Sequence, residues 1–266
     1  MLAQERRNQI MQRLAGHGQV LVQELVLDLD VSEDTIRRDL KELAAAGLLK
    51  KVHGGAIAGS TVPFAHQERV HLNLESKSKI GQAAAQLVEN KMLVYVDGGT
   101  TTMQVVPYLQ KRPLRCTFVT HSTVMAQSLS VLEGAEIILL GGKLIKELFI
   151  TAGPESLVQA KSFRPDLALI SAHGFTIKAG ATVESYEDAC IKRQFVDNAG
   201  ETAVLAGHEK LSFVATYQIA PTEKISYLVT DVDLDAVDEL IGLSSKEKKE
   251  AAIKKGMRII STAQSK

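Results

Sequence analysis

The chain has 266 residues, 45% of them apolar and 23% charged, which is the range of an ordinary globular protein able to bury a sizeable core. Its 31 lysines and arginines balance 31 acidic residues, so the total charge gives no polycationic signature and any nucleic-acid contact must come from local charge placement. No stretch approaches the roughly 20 apolar residues of a membrane span. Met1 to Leu14, carrying Glu5, Arg6, Arg7 and Arg13, lacks the apolar run of a signal peptide. The two cysteines, Cys116 and Cys190, show no metal-ligand spacing and read as buried free thiols in a reducing compartment. The expectation is a cytoplasmic protein with no membrane partner, no metal and no cofactor.

Residues 1–57 are dense in charge and helix formers. Leu2, Ile10 and Leu14 give a first amphipathic helix near 3–14, stopped by Gly16 and Gly18. Leu21, Leu25 and Leu29, spaced by four, give a second between Val20 and Leu29. Ser32 suits the N-cap of a third, with Glu33 and Asp34 in the first turn at the positive end of the helix dipole. Ile36, Leu40 and Leu43 form its inward face, and Gly47 ends it. Leu48–Val52, the turn His53-Gly54-Gly55 and Ala56-Ile57 read as a two-stranded wing. Three helices and a wing are the plan of a winged helix-turn-helix. With the apolar face buried, Thr35, Arg37, Arg38 and Lys41 remain for phosphates and base edges. Lys50, Lys51 and His53 sit in the wing, next to Gly54. Because eight basic residues in 1–57 meet eight acidic ones, recognition must rest on where charges point. A small helical cap with a solvated charged face is the plainer alternative.

Residues 58–75 read as a linker, and a helix is expected from about Ser76 to Glu89. From Met92 onward, apolar runs alternate with helical stretches. Strands are expected at Met92–Val96, Thr117–Val119, Glu136–Leu140, Leu167–Ile170, Thr202–Ala206 and Ile225–Val229, with a last one at Met257–Ile260. Helices are expected at Thr101–Gln110, Thr123–Leu132, Glu155–Lys161, Glu184–Asn198, Asp233–Ile241 and Ser245–Lys255. This alternation predicts an α/β domain over 76–266 with a largely parallel sheet.

The strongest signal in this domain is Asp97-Gly98-Gly99-Thr100-Thr101-Thr102, directly after a strand and opening a helix. Glycines permit close backbone approach, helix-start amides point at an anion, and threonine hydroxyls add donors. A capped strand–helix turn is the ordinary alternative. His121-Ser122, Gly141-Gly142-Lys143 and Lys210 follow other strands. Parallel strands would bring all four loops to one sheet edge, where ligands of such folds sit. His173 follows the strand Leu167–Ile170 and either hydrogen-bonds a ligand hydroxyl or caps a loop. Glu187 and Lys192 lie five apart on one helix, and Lys192 with Arg193 reads equally as surface charge.

Val31-Ser32-Glu33-Asp34-Thr35-Ile36-Arg37-Arg38-Asp39-Leu40, then Leu43, Gly47 and His53-Gly54-Gly55-Ala56, resemble the DNA-binding signature of the DeoR family of bacterial sugar-metabolism regulators. The resemblance continues through Asp97–Thr102, Thr120-His121-Ser122, Leu140-Gly141-Gly142, Asp166–Gly174, Glu187 with Lys192-Arg193, and Lys210, so it spans nearly the whole chain. It implies a winged helix that binds operator DNA, usually as a repressor. It also implies a sensor domain similar in fold to ribose-5-phosphate isomerase, with a phosphorylated sugar as effector. Two loops depart from the family pattern. Gly207-His208-Glu209-Lys210 stands where members commonly have Asp-x-Ser-Lys, and Thr120-His121-Ser122 where they often have Thr-Asn-Ser. Both departures bear on the identity of the ligand. Paired half-sites in DNA call for a homo-oligomer, at least a dimer. The rival reading is a sugar-phosphate isomerase with an added helical domain. Asp97, Glu187, His173 and His208 are its acid–base candidates, though no pair is singled out by spacing and an isomerase has no need of the N-terminal module.

Overall fold

A computed structural model describes residues 3–17, 19–45, 49–52, 54–58, 65–233, 237 and 256–263. The N-terminal unit has α1 (Ala3–His17), β1 (Gln19–Leu21), α2 (Val22–Leu29), α3 (Glu33–Ala45), β2 (Leu49–Val52) and β3 (Gly55–Ala58). The strands form an antiparallel sheet in the order β1-β3-β2. Ile10, Leu14, Leu25, Leu29, Ile36, Leu40 and Leu43 make its core, as their helical spacing requires. Gly54 turns the wing at φ +80° with open space beside it, so the dihedral rather than crowding asks for glycine.

The stretch expected as a linker, 58–75, holds α4 (His66–Val70) and the first residues of α5 (Leu74–Ala85). Beyond them come β4 (Leu93–Val96), a 3-10 turn at Thr102–Val105, α6 (Val106–Leu109), β5 (Thr117–Thr120), α7 (Thr123–Leu129) and β6 (Glu136–Leu139). Next are β7 (Lys143–Ile145), β8 (Ile150–Ala152), α8 (Pro154–Lys161), β9 (Leu167–Ser171), β10 (Gly174–Thr176), β11 (Gly180–Val183) and α9 (Tyr186–Asn198). The described residues end with β12 (Glu201–Leu205), β13 (Tyr217–Ala220), β14 (Tyr227–Thr230) and β15 (Arg258–Ser261). The helices expected at Asp233–Ile241 and Ser245–Lys255 lie outside the described residues, apart from Asp233 and Val237.

Seven strands form a sheet in the order β15-β14-β12-β9-β4-β5-β6, with every neighbouring pair parallel. Strict alternation sorts its side chains into two cores. Val94, Val96, Phe118, Leu167, Leu169, Ala203 and Leu205 face α5, α6 and α7. Tyr95, Val119, Ala168, Ile170, Val204 and Leu228 face α8 and α9. The sheet is thus covered on both faces. The chain runs outward from β4 through β5 to β6, then returns to the other side of β4 at β9. The strand order therefore reverses between β4 and β9, and the crevice beyond their carboxyl ends is where such sheets take ligands. Two additions escaped the sequence reading: the antiparallel hairpin β7–β8 and a three-stranded antiparallel sheet β10-β11-β13.

Candidate functional sites

In the N-terminal unit, Ser32 Oγ accepts from the Thr35 amide at 3.3 Å and lies 2.8 Å from Thr35 Oγ1. Both hydroxyls therefore engage each other at the start of α3. Arg37, Arg38 and Lys41 are exposed on one side of that helix. Arg37 is held by Glu33 (Nη2–Oε1 2.5 Å) and Arg38 by Glu42 (Nε–Oε1 3.3 Å). Asp39 points inward and is bound by Arg6 and Arg7, while Arg13 pairs with Asp28. Asp39 is buried together with Arg6, so the basic side chains left on the exterior of α3 are Arg37, Arg38 and Lys41, beside the exposed Glu33 and Asp34 at its start. Lys51 is exposed on β2 and Lys50 is paired in register with Ile57. His53 lies outside the described residues.

The second site lies at the β4–β9 crevice, where a buried charge relay runs through it. Lys192 Nζ sits 2.8 Å from Asp97 Oδ2 and 2.9 Å from Asp188 Oδ2, and donates to the Ser171 carbonyl at 3.2 Å. Asp97 also accepts from the Ser171 amide (2.8 Å) and hydroxyl (3.0 Å), the Gly99 amide (3.0 Å) and Thr102 Oγ1 (2.5 Å). Asp188 Oδ1 meets His121 Nε2 at 3.0 Å, and His121 Nδ1 meets the Tyr95 hydroxyl at 3.0 Å. A proton on Nε2 satisfies both contacts of that ring. Tyr95 is fixed from behind by stacking on Phe195, with centroids 3.8 Å apart.

Burial alone would raise the carboxyl pKa values of Asp97 and Asp188. The Lys192 ammonium between them, with their hydrogen bonds, instead holds both below the usual range. For Lys192 burial pulls down, but Asp188 and Asp97 push its pKa above the ordinary lysine value. All three are therefore ionised at neutral pH.

In front of this relay lie two adjoining cavities that share Arg69. The inner, of about 20 Å³, is lined by Gly98, Gly99, Ser171, His173, Asp188 and Lys192, with Leu148 and Ile150 from the β7–β8 hairpin. The outer, of about 210 Å³, is lined by Leu72, Asn73, Lys77, Thr100, Glu209 and Lys210. Lys210 Nζ donates to Thr101 Oγ1 at 3.0 Å. Burial first, then Arg69 and Lys77 against the opposing pull of Glu209, bring the Lys210 pKa down to about 8. Lys77 is likewise lowered to about 8, mainly by burial and also by Arg69. His173 falls to about 3 through burial and the nearby Arg69, Lys192 and Lys210, so its ring is neutral. Arg69 Nε, His173 Nε2 and Glu209 Oε2 are buried without a hydrogen-bond partner, Glu209 Oε2 having only a long contact of 3.8 Å to His208 Nδ1. Such groups ordinarily find one, and here all three belong to residues lining the cavities.

The sequence-predicted site residues divide into three sets. Gly98, Gly99, Thr100, His173, Lys192 and Lys210 line the cavities. Asp97, Thr101, Thr102, His121 and Ser122 stand behind them. Both His121 nitrogens are engaged within the relay, and Ser122 caps α7 by accepting from the Met125 amide. Gly141, Gly142, Lys143 and Glu187 line neither cavity. The loop after β6 leaves from the edge strand of the sheet, and its Gly141 amide donates to Gln159 instead. Glu187 is exposed and accepts from the Ser185 hydroxyl. Within the 97–102 loop the Gly99 amide turns back to Asp97, and a 3-10 turn follows in place of a regular helix. A Cβ on Gly99 would lie 1.8 Å from Ser171 Oγ, so this glycine serves the close packing of β4 on β9. Sequence reasoning missed Arg69, Lys77, Ser171 and Asp188. Only Asp188 left a trace, since it precedes Lys192 by one helical turn.

A family model for the DeoR-like helix-turn-helix domain matches residues 6–62, and one for the DeoR C-terminal sensor domain matches 72–232. The chain belongs to the DeoR family. As a DeoR-family protein it is a DNA-binding transcriptional regulator. It is 35% identical to the HTH-type transcriptional repressor GlcR of Bacillus subtilis, over 87% of this chain and 89% of that protein. It is 32% identical to the HTH-type transcriptional regulator GolR of Listeria innocua, over 85% and 90%. Among solved structures it is similar to ribose 5-phosphate isomerase A from Neisseria gonorrhoeae at 9% identity, with a TM-score of 0.38 covering 59% of this chain and 58% of that one. The isomerase reading is not favoured, since the relatives are named as regulators. Three of its four acid–base candidates are also placed otherwise: Asp97 clamps Lys192, Glu187 lines neither cavity, and His208 meets Asp231, while His173 alone lines the inner cavity with a free ring nitrogen. Among the described residues no helix is long and apolar enough to cross a membrane.

Proposed function

We propose that this DeoR-family regulator is a cytoplasmic repressor of a carbohydrate-catabolism operon, and that a phosphorylated sugar in the β4–β9 crevice modulates its grip on operator DNA. The observation that carries the effector reading is the outer cavity. Arg69, Lys77 and Lys210 converge there with Thr100, and one acid, Glu209, is present on that wall. Lys192 adds no net positive charge, since two carboxylates hold it. An anionic group suits the outer cavity. The inner cavity is too small for a sugar ring and offers Ser171, the neutral His173 and Asp188 to a hydroxyl. On the DNA side, α3 presents Arg37, Arg38 and Lys41 to the major groove, with Ser32 and Thr35 at its start, and the wing with Lys50, Lys51, His53 and Gly54 lies on the backbone. A homo-oligomer, at least a dimer, would present two such helices to paired half-sites.

The test is a thermal-shift screen of pentose and hexose phosphates against the matching free sugars, followed by gel shifts on the DNA upstream of the protein's own gene. A ligand at a hundred times its Kd stabilises by about 2.7 kcal/mol. Phosphates should raise the melting temperature, their free sugars should not, and the same phosphates should alter the gel shift. Equal response to sugar and sugar phosphate would remove the anion from the reading.

A further inference from the structure

Arg69, which joins the two cavities, does not belong to the sheet domain's core. It sits on α4, the short helical segment between the wing, which ends at Ala58, and α5. His66 and Arg69 of this segment are both buried against the sensor domain. The His66 amide donates to the Glu147 carbonyl at 2.8 Å, on the loop between β7 and β8. The His66 ring lies edge-on to Phe149, with centroids 5.7 Å apart. Lys77 Nζ, from α5, donates to the Arg69 carbonyl at 2.6 Å. Meanwhile the cations meet across the outer cavity, Arg69 from the segment, Lys77 from α5 and Lys210 from the loop after β12. Glu209 on the same wall, with Asp97 and Asp188 behind it, offsets part of their mutual repulsion, and a negative charge placed between the three cations would offset more. Arg69 Nε is buried without a hydrogen-bond partner and is free to donate to such a charge.

We propose that α4 is a strap fastened by the anionic effector itself, and that Arg69 is the residue through which occupancy of the cleft is passed to the DNA-binding domain. An anion held by Thr100 and Lys210 on one side and by Arg69 and Lys77 on the other pins the segment from which the wing is hung. Its influence on DNA equals its difference in affinity for the fastened and loose states. This rests on the anion-binding reading of the cleft.

Hydrogen exchange on the full chain, with and without saturating inorganic phosphate, ribose 5-phosphate or fructose 6-phosphate, tests it. Amides of 66–72 and of 98–102 should both exchange at least about tenfold more slowly with the probe. Protection of 98–102 without 66–72 would keep the anion site and overturn the strap. Protection of neither would overturn the anion reading and the strap with it. The variant His66→Ala removes an anchor of the strap and leaves every cavity-lining side chain in place. It should bind the probe within about twofold of wild type, while the probe's effect on affinity for the upstream DNA falls at least severalfold. An unchanged effect on DNA would overturn the strap as the route of coupling. Arg69→Gln should abolish both strap protection and the DNA response to the probe, and a full DNA response in this variant would overturn Arg69 as the coupling residue.

Discussion

The two functional regions use charge in opposite ways. On α3 the cations are exposed, and both arginines are paired with a glutamate one turn away: Arg37 with Glu33, Arg38 with Glu42. Arg38 is 83% exposed, and such pairs contribute a few tenths of a kcal/mol, so either arginine can exchange its glutamate for a phosphate or a guanine edge. In the crevice Lys192 is 5% exposed between two carboxylates that are 0% and 8% exposed. That arrangement cannot exchange partners without leaving a charge buried and alone. The first region is built to be rearranged by its ligand and the second to hold a shape for one.

Substitution of Lys192 should therefore give the largest effect. Lys192→Met removes the cation and leaves Asp97 and Asp188 in one dry site. A loss of about 3–5 kcal/mol in the stability of the sensor domain is expected, read by urea denaturation. A loss below about 1 kcal/mol would mean that the relay is hydrated and that its charges exchange partners as freely as those on α3. The pH dependence has a defined sign. Asp97 and Asp188 lie below their unfolded values, so their contribution is present above about pH 4 and is lost as pH falls through the folded values.

Next in size are the arginines of the reading helix. Arg37→Ala or Arg38→Ala should weaken binding to the upstream DNA by about 1–3 kcal/mol if the side chain contacts a base with both nitrogens. Titration against specific and random duplexes decides the role. A loss confined to the specific duplex marks base reading, and an equal loss on both marks a phosphate contact.

The contrast also explains how much of the protein could be read in advance. Strands such as Leu93–Val96 and Leu167–Ser171 are buried on both faces, so they appear as unbroken apolar runs. β7, β8 and β10 have three residues each and are broken up by Lys, Thr or Gly, which leaves no period to detect. The α3 arginines were legible because a surface helix shows its polar stripe. Lys192 looked equally like surface charge, because its burial depends on Asp97, which lies on a distant strand end. Arg69 and Lys77 fell in a stretch that reads as linker or as its edge. What assigns them to the cleft is the path of the chain, which local pattern does not encode.

A smaller effect comes from the mouth of the cleft. Lys77 and Lys210 have pKa values near 8, below their unfolded value of about 10.4. The sign is opposite for the free and the ligated protein. Without ligand, these two groups let stability rise between about pH 8 and pH 10.4, because the unfolded chain then binds more protons. An anion needs them protonated, so its affinity is full below about pH 8 and falls as pH climbs. From pH 7.5 to 9.5 the protonated fraction of a group with pKa near 8 falls roughly 25-fold, so the affinity for a phosphate ligand should drop by at least that factor, about 1.9 kcal/mol or more. Isothermal titration across that range measures it directly. A flat profile would place the anion away from Lys77 and Lys210.

The smallest predicted change is also the most direct test of exchangeable pairing on α3. Glu33 holds Arg37 and, near the amino end of the helix, favours the helix dipole as well. Glu33→Gln should lower stability by a few tenths of a kcal/mol through the lost pair and dipole contact. At low salt it should also strengthen DNA binding by a similar amount, because Arg37 no longer has to leave a carboxylate and one negative charge is removed from the face turned to phosphate. Both changes should shrink as salt is raised. Weaker DNA binding in this variant would show that Glu33 positions Arg37 for its contact, and the pairs on α3 would then be as fixed in purpose as those around Lys192.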